Sequence, residues 1–150
     1  MLNTILGDWR VSGILSLHTG FPLTIKARDV SGTVGQGPRA NVVGSAPQIH
    51  QVGPGGRWIN PADFQQPVAR TVGNSGIGVI RGAGLRNFDL SLQKSIPIES
   101  KRVEFRAEFF NLSNTPHFNS PDNNVTSLTF GELLTSQGER NIQLAVKLYF

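Results

Sequence analysis

Asn141-Ile142-Gln143-Leu144-Ala145-Val146-Lys147-Leu148-Tyr149-Phe150 is the stretch whose reading decides the fold. Ile142, Leu144, Val146, Leu148 and Phe150 fall on one parity; Asn141, Gln143, Ala145, Lys147 and Tyr149 fall on the other. Side chains on a strand alternate between faces, so this segment reads as a strand with one wholly apolar face and one mostly polar face. Its apolar ladder runs to the last residue, where soluble domains usually fray. A strand that crosses a bilayer needs about 9–11 residues with this alternation, and the segment has both the length and the pattern.

The same period of two recurs three times upstream. In residues 85–98, Phe88, Leu90, Leu92, Ile96 and Ile98 alternate with Asn87, Asp89, Ser91, Gln93 and Ser95. Lys94 is the charge on the apolar side. A lysine at mid-bilayer costs about 2–4 kcal/mol, falling toward zero near an interface, so its stem is expected to carry the ammonium toward the headgroups. In residues 102–112, Val103, Phe105, Ala107 and Phe109 alternate with Arg102, Glu104, Arg106 and Glu108, a run of charges expected to pair along and across strands. In residues 9–25, Trp9, Val11, Leu15, Leu17, Phe21, Leu23 and Ile25 oppose Arg10, Ser12, Ser16, His18, Thr24 and Lys26, with Ile14 breaking the polar side. Pro22 has no N–H to donate, so a bend is expected at Gly20-Phe21-Pro22, after a long strand ending near Thr19.

The rest of the chain is different in kind. Residues 27–84 hold most of the 17 Gly and 9 Pro and show no sustained period. Turn signals are dense: Ser31-Gly32, Gly37-Pro38, Gly53-Pro54-Gly55-Gly56, Asn60-Pro61 and Asn74-Ser75-Gly76. A short helical turn is expected at Asn60-Pro61-Ala62-Asp63-Phe64, with Asn60 as cap and Pro61 in the first position. Residues 113–138 form a second loop rich in Asn, Ser, Thr and Pro, with Phe118, Phe130 and Leu133-Leu134 as candidate anchors. Only 16% of residues are charged, which with the Gly and Pro content favours strands and loops over helices. The net charge of +4 comes from 14 basic residues spread from Arg10 to Lys147, not from a basic patch interleaved with aromatics, so no nucleic-acid partner is expected. There are no cysteines, hence no disulfide scaffold and no thiolate metal site, and no apolar run is long enough for a membrane helix.

The expected architecture is all-β: an antiparallel meander of about four strands (roughly 9–25, 85–98, 102–112 and 140–150) with two long loops, 27–84 and 113–138. Bacterial outer-membrane barrels have short periplasmic turns and longer extracellular loops. If the C-terminus is periplasmic, the short connection Glu99-Ser100-Lys101 falls on the periplasmic side and both long loops outside. Trp9, Tyr149 and Phe150 then lie at the inner end, and Phe21, Phe88, Phe109 and Phe110 at the outer end. Trp9, Phe88, Phe109 and Tyr149 are the candidate interface aromatics, and Arg102, Glu104, Arg106 and Glu108 the candidate lumen-facing charges. Four strands cannot close a barrel whose smallest members have about eight, so the chain is expected to be an open piece, residues 1–150 forming the C-terminal part of a longer protein.

Two resemblances sharpen this. Ile142, Leu144, Val146, Leu148 and Phe150 resemble the C-terminal signal that the barrel-assembly machinery reads in outer-membrane barrels, although Leu148 stands where that family often has Tyr. Trp9-Arg10-Val11-Ser12-Gly13-Ile14 and Thr19-Gly20-Phe21-Pro22-Leu23 resemble the strand opening and bend of TonB-dependent outer-membrane receptors, above all their Oar-like branch. Residues 60–64, 81–92 (RGAGLRNFDLSL) and 104–116 (EFRAEFFNLSNTP) are similar to motifs of the same branch. The resemblance implies a receptor barrel of about twenty-two strands with an N-terminal plug, energised through TonB. The plug, the remaining strands and the contact with TonB would lie in regions upstream. The implied partners are outer-membrane lipid, the assembly machinery and those upstream regions; the implied role is uptake of an unidentified ligand.

No enzyme is expected. Gly73-Asn74-Ser75-Gly76-Ile77-Gly78 follows no clear strand and opens no amphipathic helix, as a phosphate-binding loop requires. His18, His50 and His117 share no metal-ligand spacing. Asp63, Asp89, Glu104 and Glu108 make acid–base pairs only on paper, because Arg106 stands between the two glutamates. No serine lies in a G-x-S-x-G context. No cofactor is implied. The competing reading is a soluble β-sandwich or adhesin-like module binding through its loops, which needs a second sheet to cover the apolar faces.

Overall fold

The computed structural model describes residues 7–32, 37–45, 47–53 and 56–150. Pro54 and Gly55 of the expected turn at 53–56 lie outside the described residues. The chain divides into two units, one built on Arg86–Pro116 and Gly138–Phe150 with the first strand, the other on His18–Leu85 and His117–Gln137.

The first unit is an antiparallel sheet. Its strands are β1 (Trp9–His18), β6 (Leu85–Ile98), β7 (Lys101–Phe110) and β10 (Asn141–Tyr149), in the spatial order β1-β6-β7-β10. Chain order and sheet order agree, as in a meander. The register sorts the side chains by medium. Ile142, Leu144, Val146 and Leu148 of β10 stand opposite Phe109, Ala107, Phe105 and Val103 of β7. The same β7 residues stand opposite Leu90, Leu92, Lys94 and Ile96 of β6. Each such cross-strand apolar pair adds about 0.2–1 kcal/mol, and a slip of one residue would turn every side chain to the wrong face. The opposite face carries Ser91, Gln93 and Ser95 beside Glu108, Arg106 and Glu104, with Gln143, Ala145 and Lys147 on the far side.

Several expected boundaries move. Ile98 pairs with Lys101, so the β6–β7 connection is the two-residue turn Glu99 and Ser100, and Lys101 is already strand. Two-residue hairpins match the strand twist only with positive φ in the turn, and Glu99 supplies it at +52°. β7 ends at Phe110 rather than 112, because Asn111 turns into the left-handed region at φ +48°. β1 stops at His18, one residue before its expected end near Thr19, but the continuation to residue 25 does not belong to the same sheet. Pro22–Leu23 forms a separate strand, β2, that pairs with β5 (Ile80–Arg81). The break is enforced at Gly20, where a Cβ would lie 1.8 Å from the carbonyl oxygen of Gly82.

The second unit corrects the expectation of two irregular loops. The segments after β1 and after β7 fold together around Ile25, Ala27, Ala40, Ile59, Phe64, Ile80 and Phe130, with Leu23, Val42, Trp58 and Val125 packed against them. Phe64 and Phe130 meet edge to face at 6.0 Å. Short ladders close the unit: β3 (Asn41–Val42) with β4 (Phe64–Gln65), and β8 (His117–Phe118) with β9 (Ser136–Gln137). Lys26 N donates to Asn123 O, Val125 N to Lys26 O, and Trp58 N to Gly131 O, so the two segments share backbone hydrogen bonds. Gly131, at φ +85°, lets this happen, because a Cβ there would lie 2.5 Å from Ile59 O. Of the expected anchors, Phe130 is core, Phe118 is half-buried and Leu134 is exposed. The expected turn at 60–64 is a 3-10 helix, Pro61–Asp63, whose Ala62 N–H donates to the Asn60 side chain at 3.2 Å.

Candidate functional site

The sheet presents two faces of opposite chemistry, each assembled by the same alternation. On the apolar face, the rows that cross the sheet end in side chains that nothing among the described residues covers. Val146 is 69% exposed, Leu144 67%, and Val11, Leu15 and Leu17 of β1 are comparably open. A contiguous apolar patch of this kind on a folded protein marks contact with lipid or another protein. Trp9, Phe88 and Phe109 belong to this face: Phe109 pairs with Ile142, Gly13 abuts the Phe88 ring, and Trp9 lies beneath Lys94. Lys94 is the polar group set into the face, and it is satisfied there. Its Nζ donates to the carbonyl of Gly7 and lies 5.3 Å from the Trp9 ring centroid. The side chain thus runs toward the Glu99–Ser100 end of the sheet, as its snorkelling stem requires.

The other face is a charge ladder on β7. Arg106 lies 3.5 Å from Glu104 and 3.8 Å from Glu108, bridging the two carboxylates on either side of it. This geometry leaves no acid–base pair, because each glutamate has the same cation as neighbour. Arg102 sits over the ring of Tyr149 at 4.4 Å, which puts Tyr149 on the charged face and away from the other three aromatics. Beside the ladder a cavity of about 370 Å³ is lined by Asp8, Arg10, Gln93, Ser95, Arg102 and Glu104, with Trp9 at its rim. Both signs of charge line it, so it suits water and ions better than an apolar ligand.

The remaining sequence candidates have structural partners. Asp89 accepts the backbone N–H of Asn111 at 2.8 Å. Asp63 is buried, with Gly44 packed so closely against its carboxylate that a Cβ there would lie 1.9 Å from Oδ1. The glycine-rich segment 73–78 is a packing loop: Asn74 exchanges hydrogen bonds with Val42 N and the Asn41 side chain, and Ser75 N donates to Ala40 O. His18 and His117 line one cleft in the second unit, while His50 stacks edge-on against Trp58 at 4.6 Å.

Sequence reasoning missed Asn111. It is 3% exposed, donates through Nδ2 to Thr115 O at 2.8 Å and to Gly138 O, and accepts from Thr115 N at 3.0 Å. It ties the end of β7 to the residues that lead into β10. The signal was present as the polar residue that interrupts an apolar run after Phe109-Phe110.

A sheet with one lipid-compatible face, one charged face, a tight turn at one end and long connections at the other is a segment of a membrane barrel wall. The family described as "Outer membrane beta barrel domain" matches residues 1–143, and the chain belongs to that family. It is therefore an outer-membrane protein whose strands form barrel wall. No curated protein and no solved structure matches the chain.

Proposed function

We propose that this wall belongs to a TonB-dependent receptor of the Oar-like branch, a transporter rather than an enzyme, and that these strands are its C-terminal part. The observation that carries the reading is the combination of the two-faced sheet with the motifs at 9–14, 19–23, 60–64, 81–92 and 104–116. These motifs occupy distinctive places in the fold. Gly20 is the point where the chain leaves β1, residues 60–64 form the capped 3-10 turn, and Asn111 is the buried pivot after β7. In this reading the C-terminus is periplasmic, Ile142, Leu144, Val146, Leu148 and Phe150 are read by the assembly machinery, and the charges Arg102, Glu104, Arg106 and Glu108 face the lumen. The plug and further strands are supplied upstream, and the long loops meet the extracellular ligand. The soluble-sandwich alternative is disfavoured by the uncovered rows of β1 and β10, which no second sheet meets among the described residues.

The test is a site-directed photocrosslinking screen between the native full-length receptor and TonB in outer-membrane preparations. Crosslinks from the region upstream of the barrel, strengthened when cells take up the ligand, are expected. A full-length protein with no such region, or one whose uptake is unchanged in cells lacking TonB, would overturn the transport reading and leave a barrel of another kind.

A further inference from the structure

The second unit contains a cleft of about 250 Å³ lined by aromatic, imidazole and uncharged polar side chains. Two aromatic rings, Phe21 and Phe118, and two imidazoles, His18 and His117, stand around it, with Asn119 and Ser120 at one side. The backbone of residues 82–84 contributes two glycines and an alanine, which leave the space open. No Asp, Glu, Lys or Arg side chain lines it.

Phe21 is the decisive residue. The residue is 73% exposed, yet its backbone is pinned on both sides. Gly82 N donates to Phe21 O at 3.0 Å, Arg81 Nη1 donates to Gly20 O at 3.3 Å, and Pro22 is already paired in β2. Gly20 leaves no room for a Cβ against Gly82. A pinned backbone fixes the direction in which this exposed aromatic leaves the chain, which lowers the ordering cost of stacking a ligand on it. The His18 ring tilts against it at 5.8 Å. His18 Nδ1–H donates to the carbonyl of Thr19 at 3.1 Å, so in the neutral ring Nε2 is left as an acceptor. Asn119 is fixed by Thr135 and by Gln137, whose Nε2 donates to Asn119 Oδ1.

Rings flanked by uncharged hydrogen-bonding groups select a ligand that has an apolar face, many hydroxyls and no net charge. We infer that this cleft binds a neutral sugar, with one pyranose face stacked on Phe21 and its hydroxyls directed to His18, Asn119 and Ser120. An ionic or zwitterionic ligand would find no Asp, Glu, Lys or Arg side chain there. The inference goes beyond the transport reading and is independent of TonB coupling, because the cleft lies wholly within the second unit. A barrel that fails the crosslinking test can still bind sugar, and a TonB-coupled receptor can still fail to.

The test is saturation-transfer difference NMR on the full-length protein held in outer-membrane vesicles, with maltotriose and chitotriose as probes and benzyl alcohol as a neutral aromatic comparator. Transfer to the ring C–H protons of at least one sugar is expected. Phe21→Ala should weaken its binding by about tenfold, the upper range for loss of one stacking contact. His18→Ala should weaken it as well. Both residues are exposed, so heat-modifiable migration of the barrel should remain unchanged and show that folding is intact. No transfer to either sugar, transfer equal in both variants and wild type, or transfer to benzyl alcohol alone would overturn the inference.

Discussion

Asn111 shows how one side chain replaces a stretch of regular structure. Its left-handed φ and near-complete burial put an amide where a β-ladder would otherwise continue. The Nδ2 group supplies the carbonyls of Thr115 and Gly138 with donors that no strand provides. Asn111→Asp keeps the acceptor for Thr115 N but removes both donors and sets a carboxylate against two carbonyls. Leaving buried acceptors unpaired costs about 1–3 kcal/mol, so the unfolding free energy of the full protein in detergent should fall by about that amount and its urea midpoint with it. An unchanged midpoint would mean that water replaces the amide. Asp122 plays the corresponding part in the second unit. Its carboxylate accepts from Asn124 N at 3.0 Å and from Thr129 Oγ1 at 2.7 Å. Burial alone would push its pKa up, but hydrogen bonds from Ser127, Thr129 and the Asn124 backbone outweigh it and hold the pKa below the ordinary aspartate value. A carboxyl whose pKa is lower folded than unfolded adds stability above its unfolded pKa, and that stability is lost as pH falls through the folded pKa. Acidification through the carboxylate range should therefore lower the thermal midpoint of the native chain more steeply than that of Asp122→Asn. Parallel slopes in the two proteins would assign the acid sensitivity elsewhere.

At the scale of the element, the faces of β10 can be told apart by charge. Leu144 and Gln143 are sequence neighbours on one strand, but Leu144 stands opposite Ala107 and Gln143 opposite Glu108. An arginine facing lipid near mid-bilayer costs about 2–4 kcal/mol. Leu144→Arg should thus lower unfolding stability in phospholipid vesicles by roughly this amount, whereas Gln143→Arg gains a carboxylate neighbour and should cost little. Equal losses would refute the face assignment. The same alternation made these strands legible in sequence, because the two faces meet different media and a period of two is the only pattern that serves both. It also located Lys94 as a charge on the apolar side before its contacts with Gly7 and Trp9 were visible. The second unit was not legible in this way. Ile25, Ala40, Ile59, Ile80 and Phe130 come together from five separate places in the chain, joined by two-residue ladders and single backbone bridges. No local period records such pairings, so a region with a core reads as loop. The capped turn at 60–64 was the exception, since its Asn-Pro signature acts within five residues. The Phe21 cleft was hidden for the same reason as the core: residues 18–21, 82–85 and 117–120 are far apart in sequence.

For the whole molecule, the sheet has a direction that one labelling experiment reads. The Glu99–Ser100 turn closes one end of β6 and β7, while Phe110 and Asn141 pair at the opposite end of the sheet. At about 3.3 Å per residue, the ten residues of β7 extend about 33 Å, which at the usual tilt matches an apolar band roughly 25 Å tall. The two ends are thus on opposite sides of the outer membrane. The chain has no cysteine, so an introduced thiol is the only one within these residues, and any upstream cysteine is replaced before labelling. Ser100 lies in the turn, and Arg140 is an exposed residue immediately before β10. With the C-terminus periplasmic, Arg140→Cys should react with a bulky, membrane-impermeant maleimide on intact cells expressing the full-length protein. Ser100→Cys should react only after the outer membrane is permeabilised. The reverse pattern would turn the barrel over, placing the Glu99–Ser100 turn at the cell surface. Labelling of both sites on intact cells would show instead that the strands do not span the membrane, and the uncovered apolar face would then require a protein partner in place of lipid.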